Sequence, residues 1–197
     1  MTPTDLASQE NHLFEAMSSA RFLQGEGLSN EVPFFIYPYA PEDAIAVAGA
    51  RKRIANRLRK EGIAVGVVDL YDLSIEILKR RGVWERLIAL EPEQDKNDFR
   101  ELLQGMLDPE AHLAPEIKKL VDTDSDIVFL TGIGEVFPYI RSHSVLNNLQ
   151  SVVKKPLLMF FPGRYEQSET LGSSLVLFGR LKDDQYYRAK NILEQEP

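Results

Sequence analysis

The chain has 197 residues, a formal charge of −7, 44% hydrophobic and 27% charged residues, and no cysteine. That composition belongs to a globular domain with a real core rather than to a disordered chain, and the acidic balance argues against broad, nonspecific nucleic-acid binding. Disulfides, thiolate catalysis and cysteine-based zinc sites are excluded, in keeping with a cytoplasmic protein.

The polar, acidic stretch 1–16 does not read as a signal peptide. Residues 1–25 read as a leading helix, with Leu6, Leu13, Phe14 and Met17 near helical spacing. Val32–Tyr37 is the first apolar run with strand character. Pro41-Glu42-Asp43 then starts a helix that ends at Gly62. Its acidic first turn and basic last turn (Arg57, Arg59, Lys60) suit the helix dipole. Ile63–Leu70 is a second strand.

A helical insertion over residues 71–123 follows. Trp84, Leu87 and Ile88 read as a core or interface anchor, and Phe99, Leu102, Leu103, Met106 and Leu107 form an apolar stripe capped by Asn97 and stopped by Asp108-Pro109. Glu91–Asp98 reads as a flexible loop. Asp126–Leu130, Pro156–Phe161 and Ser174–Phe178 are further strands. Between the first two of these, Pro138 is expected to open a helix carrying Arg141 and His143. The link 164–172 is too short for a crossover helix, so the fifth strand pairs antiparallel with the fourth or lies at an edge. Asp183–Arg188 reads as a turn followed by tyrosines packing on the sheet. No stretch approaches the roughly 20 apolar residues of a membrane helix. The expected fold is a single α/β domain over residues 1–197. Its sheet is mostly parallel and five-stranded, flanked by helices, and is either Rossmann-like or a degenerate P-loop-like arrangement.

In a parallel sheet the carboxyl ends of the strands share one edge, where open α/β folds place ligands. Here that edge would gather Tyr37 and Tyr39, then Thr131, Gly132, Gly134 and Glu135, then Arg164 and Tyr165. Arg141 and His143 lie close behind. No Walker A motif occurs: the position after the first strand reads Tyr37-Pro38-Tyr39-Ala40-Pro41-Glu42-Asp43, whose prolines remove amide donors and whose carboxylates would repel phosphate. Gly132-x-Gly134-Glu135 either admits a ligand close to the backbone or forms a tight turn before a helix. Arg141 with His143 could read a phosphate or a carboxylate, or could be helix-surface residues. The basic residues Arg51–Arg53, Arg57, Arg59 and Lys60 are by default a solvated surface, or else a phosphate or acidic-partner patch. No catalytic set, metal cluster or cofactor signature is apparent.

Several phrases occur in a familiar order: Gly27–Tyr37, Leu130–His143, Phe160-Phe161-Pro162-Gly163-x-Tyr165, Leu177-Phe178-Gly179 and Tyr186–Ala189. Together they resemble the BrxB family of BREX bacteriophage-defence systems, over about residues 20–192. The resemblance implies a cytoplasmic accessory subunit of a multi-protein system that distinguishes host from phage DNA through methylation. It implies association with the phosphatase-like PglZ protein and with other BREX subunits, and it supplies no catalytic residues. The expected function is therefore a non-enzymatic adaptor that binds PglZ, using exposed tyrosines such as Tyr37, Tyr39, Tyr139, Tyr165, Tyr186 and Tyr187. The alternative is a nucleotide- or nucleic-acid-responsive regulator with Arg141, His143 and Arg164 as an anion clamp. A hydrolase using Glu135 and His143 is a third reading.

Overall fold

Four apolar runs pair side by side as parallel strands: β1 (Phe34–Tyr39), β2 (Val65–Asp69), β3 (Ile127–Thr131) and the long β4 (Leu157–Ser168). The chain is seen here as a computed structural model that describes residues 5–24, 33–121, 124–168, 172–183 and 189–195. A two-residue strand β7 (Lys190–Asn191) joins β1, giving the order β2-β3-β4-β1-β7. β1, β3 and the stretch Leu157–Phe161 of β4 are continuously apolar because both faces of the sheet are covered there, whereas Val67 of the edge strand β2 is 47% exposed. Phe34, Ile36, Val128, Leu130, Met159 and Phe161 enter one core, while their neighbours Phe35, Tyr37, Ile127, Phe129, Leu158 and Phe160 enter the other.

Right-handed crossovers dictate which helix lies on which face. From β1 the chain travels back past β4 and β3 to reach β2, through α3 (Ala44–Lys60). From β3 to β4 it moves the opposite way, through α8 (Ser142–Val152). Opposite directions with one handedness require opposite faces. Val47, Ile54 and Leu58 of α3 accordingly share a core with Phe35 and Phe129, and Val145, Leu146 and Leu149 of α8 share the other with Ile36 and Leu130.

The leading segment breaks at Ser19 into α1 (Leu6–Ser18) and α2 (Ala20–Gln24). The insertion resolves into α4 (Leu70–Arg80), α5 (Trp84–Leu90), α6 (Lys96–Met106), a π-turn at Pro109–Leu113 and α7 (Ala114–Val121). All of them pack on the α8 face. Asp95, not Asn97, caps α6, its carboxylate accepting from the Asn97 amide at 2.8 Å. The expected loop Glu91–Asp98 thus shrinks to a turn, since a local cap starts the helix within it. Pro138 opens no helix. It sits in a turn after a cis peptide bond with Phe137, and α8 starts only at Ser142.

Residues 164–168 are also not a loop. β4 runs on to Ser168 and pairs antiparallel with β5 (Gly172–Leu177), which pairs with β6 (Leu181–Asp183). The antiparallel option expected for the fifth strand is therefore realised, and the sheet has seven strands among the described residues rather than five. The polar run Arg164–Ser168 shows no apolar period, so only its pairing with β5 makes it a strand. Residues 184–188, with Tyr186 and Tyr187, lie outside the described residues, as does the stretch 25–32.

Candidate functional site: two clefts beside one turn

Parallel register brings the expected pieces to one edge: Asp69 stands beside Thr131, and Tyr39 beside Pro162. Much of the polar equipment there is committed to the fold. The Thr131 hydroxyl donates to Asp69 Oδ2 at 2.7 Å, while Asp69 Oδ1 accepts from the amides of Tyr71 (3.0 Å) and Asp72 (3.2 Å), capping α4. Gly132 has φ of +79°, and a Cβ there would lie 2.7 Å from Asp69 Oδ1 and 2.9 Å from the Leu70 and Tyr71 nitrogens. Glycine is required for the strand to turn off against the cap. Gly134 lies under the Phe178 ring and Pro162, leaving its backbone no open ligand-facing side there.

Tyr37, expected at an interface, is buried to 1% exposure, and its hydroxyl donates to Gln9 Oε1 at 2.6 Å. Burial, with the charge of Asp43 and then Tyr39 and Glu10, pushes its phenol up to about 12. Tyr39 is half-buried, and burial followed by the charge of Glu135 pushes it to about 12 against the opposing effect of Arg51. The Tyr165 hydroxyl donates to the Ala189 carbonyl (3.1 Å) and accepts from the Ser173 hydroxyl (2.7 Å), tying the β4–β5 hairpin to the segment before β7. These tyrosines hold layers together rather than standing free.

The basic helix is committed in the same way. Arg53 pairs with Glu10 at 2.7 Å, Arg57 donates to Asn11 Oδ1 and covers the Phe14 ring at 4.0 Å, and Arg59 donates to the Val65 carbonyl. The patch thereby fastens α1 onto α3. At the position of a phosphate loop the chain instead makes a 3₁₀ turn, Pro41–Asp43, with Glu42 and Asp43 at its end.

What remains available lies on either side of the turn 133–141, whose residues divide between two clefts. Glu135, Val136 and Tyr139 wall a groove between α4, α5 and α6, with Tyr71, Ile75, Leu78, Trp84, Leu87, Ile88, Glu91, Phe99, Leu103 and Leu107. This groove is shallow, about 130 Å³, and almost wholly apolar. Tyr71 and Ile88 are each 49% exposed at it. Its walls are pinned: Gln104 donates to the Pro138 carbonyl at 3.0 Å, and Arg81 donates to the Met106 carbonyl at 2.6 Å. Lys79 lies over the Trp84 ring at 5.5 Å.

Ile133, Phe137, Ile140 and Arg141 wall the second cleft with Ser142, Phe161, Leu175, Leu177, Arg180, Leu181 and Lys182. Phe137 also packs edge-on against Phe178 at 6.4 Å, which anchors the turn under the hairpin. Arg164 belongs to a third, more open hollow with Tyr39, Glu42 and Phe178, where it donates to the Gly179 carbonyl at 3.4 Å and pairs with Glu166 at 3.6 Å. The expected clamp of Arg141, His143 and Arg164 is therefore not assembled. Arg141 and Arg164 line different clefts, and half-buried His143 lines none of the three.

Arg180 and Lys182 were not singled out from sequence, although the alternation Phe178-Gly179-Arg180-Leu181-Lys182 signals a turn into a short strand. The groove residues were legible only as an apolar stripe and an anchor. Two helices separated by a turn had to meet before they formed a cleft.

Comparison with known proteins places this geometry. The family model for BREX protein BrxB matches residues 66–192, which span β2 to β7 and include both clefts. A BREX protein BrxB of Bacillus cereus (strain H3081.97) is 34% identical over 189 residues, covering 94% of this chain and 96% of its own length. The chain belongs to the BrxB family. A second BREX protein BrxB, from Escherichia coli O9:H4 (strain HS), is 32% identical over 175 residues, or 88% and 84% of the two chains. No solved structure matches. Three of the phrases that carry the BrxB resemblance meet in space, because Gly134 of the turn lies against Pro162 and Phe178. Among the described residues, no helix of this BrxB family member is long and apolar enough to cross a membrane.

Proposed function

We propose that this protein is a non-catalytic, cytoplasmic subunit of a BREX phage-defence assembly, and that it docks the phosphatase-like PglZ component through the groove between α4, α5 and α6. The observation that carries the reading is that groove: an apolar, half-exposed surface at Tyr71 and Ile88, built on rigid helices, in a member of a BREX protein family. A cleft of about 130 Å³ takes protruding side chains better than it takes a small molecule. Among the described residues, the ionisable groups lining it apart from Tyr71 and Tyr139 are Glu91 and Glu135. The matching partner is an amphipathic segment with an apolar anchor and a flanking Lys or Arg.

A non-catalytic role is supported by how the strand-end groups are used. Asp69 and Thr131 are engaged in the α4 cap and Tyr37 in a buried hydrogen bond, while Glu135 lines the groove and His143 does not.

Co-expression with PglZ followed by size-exclusion chromatography tests the proposal, at physiological salt and at roughly 0.5 M, where charges are screened beyond a few ångströms. The expected result is co-elution at both salts, lost in a Tyr71→Ala/Ile88→Asp variant that keeps its circular dichroism. Separate elution of the unaltered proteins at both salts would remove PglZ docking. Co-elution unaffected by the double variant would move the interface off the groove.

A further inference from the structure

We infer that the second cleft, between the turn 133–141 and the β5–β6 hairpin, binds a small phosphorylated ligand with an aromatic body, the chemistry of a nucleoside phosphate. Its floor is apolar and formed by the sheet: Phe161, Leu175 and Leu177 are all buried. Its rim carries three cations from two distant stretches of chain, Arg141 ahead of α8 and Arg180 and Lys182 on the hairpin. All three are exposed, and among the described residues no carboxylate lines the cleft. Glu166, outside the cleft, reaches Lys182 at 4.0 Å and also pairs with Arg164 at 3.6 Å.

A chain of net charge −7 that gathers three cations around one concavity has made a local anion site in an otherwise repelling field. Guanidinium groups bind phosphate oxygens bidentately, and two of the three cations are arginines. Half-buried Phe137 offers a ring on the opposite wall, so the site is amphipathic, as an aromatic phosphate requires. The cavity measures about 310 Å³. That falls at the lower end of small-molecule sites, which run from roughly 300 to 1,000 Å³. An extended nucleic-acid strand would need an uninterrupted basic track; Arg180 also lines the third hollow beside Arg164, but Glu42 stands in that hollow and breaks the track.

The inference is independent of PglZ docking, because the groove shares only the backbone of the turn with this cleft and none of its lining side chains.

The experiment is isothermal titration calorimetry of the full chain with ATP, inorganic pyrophosphate and adenosine, alongside polarisation titration with a labelled single-stranded DNA oligonucleotide. Three variants are compared: Arg180→Glu/Lys182→Glu, Arg141→Gln, and a charge-matched control, Lys52→Glu/Lys154→Glu, away from the cleft. Circular dichroism verifies their fold. ATP is expected to bind saturably, more tightly than pyrophosphate and at least about tenfold more tightly than adenosine. The hairpin variant should weaken ATP at least about tenfold and Arg141→Gln severalfold, with the control within about twofold.

The inference is overturned if ATP and pyrophosphate fail to saturate by about 5 mM. It is also overturned if the control loses as much affinity as the hairpin variant. Tighter binding of the oligonucleotide than of ATP, lost in the hairpin variant, would overturn the small-ligand class in favour of nucleic acid.

Discussion

The two clefts share the turn 133–141 as a wall, yet they differ in almost every physical respect. The groove on the helical side is shallow, apolar and rimmed by Glu91 and Glu135, whereas the cleft on the hairpin side is more than twice as large and rimmed by Arg141, Arg180 and Lys182. Near-helical winding explains how one segment serves both. Val136 N bonds Gly132 O, and Ile140 N bonds Val136 O, so residues 136 and 139 face one way while 133, 137, 140 and 141 face the other. The difference teaches that a ligand edge in a parallel sheet need not be one site. Here the extended β4 and its hairpin occupy the middle of that edge and divide what remains.

The most damaging way to break this arrangement is at the point from which the turn springs. Gly132→Ala places a Cβ 2.7 Å from Asp69 Oδ1 at a φ of +79°. A left-handed, sterically closed position of this kind is expected to cost about 2–4 kcal/mol, with loss of both clefts. Urea denaturation measures it, and an unchanged midpoint would mean that the cap and the turn are not joined as described.

A smaller effect sharpens the comparison. Tyr71→Ala/Ile88→Asp should abolish docking yet change stability by less than about 1 kcal/mol, because both side chains stand half in solvent. The same variant should leave ATP affinity within about twofold. Parallel loss of both bindings would make the two clefts one functional unit.

The smallest effect is a titration. Tyr37 and Tyr39 ionise at about 12 in the folded chain against 10.0 ordinarily, chiefly through burial. A raised folded value means that the neutral phenol is favoured by the fold. The contribution to stability is therefore whole below pH 10, declines as pH rises from 10 towards 12, and is gone above. Absorbance of the phenolate should show two late-titrating tyrosines, followed by alkaline unfolding. Glu135→Gln should lower the Tyr39 value and leave Tyr37 closer to its original position, since Glu135 acts on Tyr39. Equal shifts of both would place Glu135 elsewhere.

The strands were legible because each is a short apolar run, and a run without alternation requires cover on both faces. α3 was legible from its charge gradient. The breaks at Ser19, at Asp95 and before Ser142 were less so, since each depends on a cap or turn chosen by the surroundings. Asp95 outcompeted Asn97 because its carboxylate reaches the Asn97 amide from the N-cap position. Of the candidate residues, Thr131, Gly132 and Gly134 were correctly brought together at the strand end. Thr131 and Gly132 serve an α4 cap that cannot be seen without α4 in place, and Gly134 packs against Phe178 and Pro162.

The sequence by itself determined the α/β class, the parallel core and its strand-end edge, because burial on two faces and helix periodicity are local properties of residue order. It also determined the family, through phrases dispersed along the chain. Only the tertiary structure decided which polar groups are available. Thirteen arginines and seven tyrosines look alike in one dimension. Whether an arginine clamps a helix, as Arg53 does, or rims a cleft, as Arg180 does, depends on a partner residue far away in the chain. That pairing arises from packing, through the crossover that lays α1 on α3 and the hairpin that folds β6 over the turn.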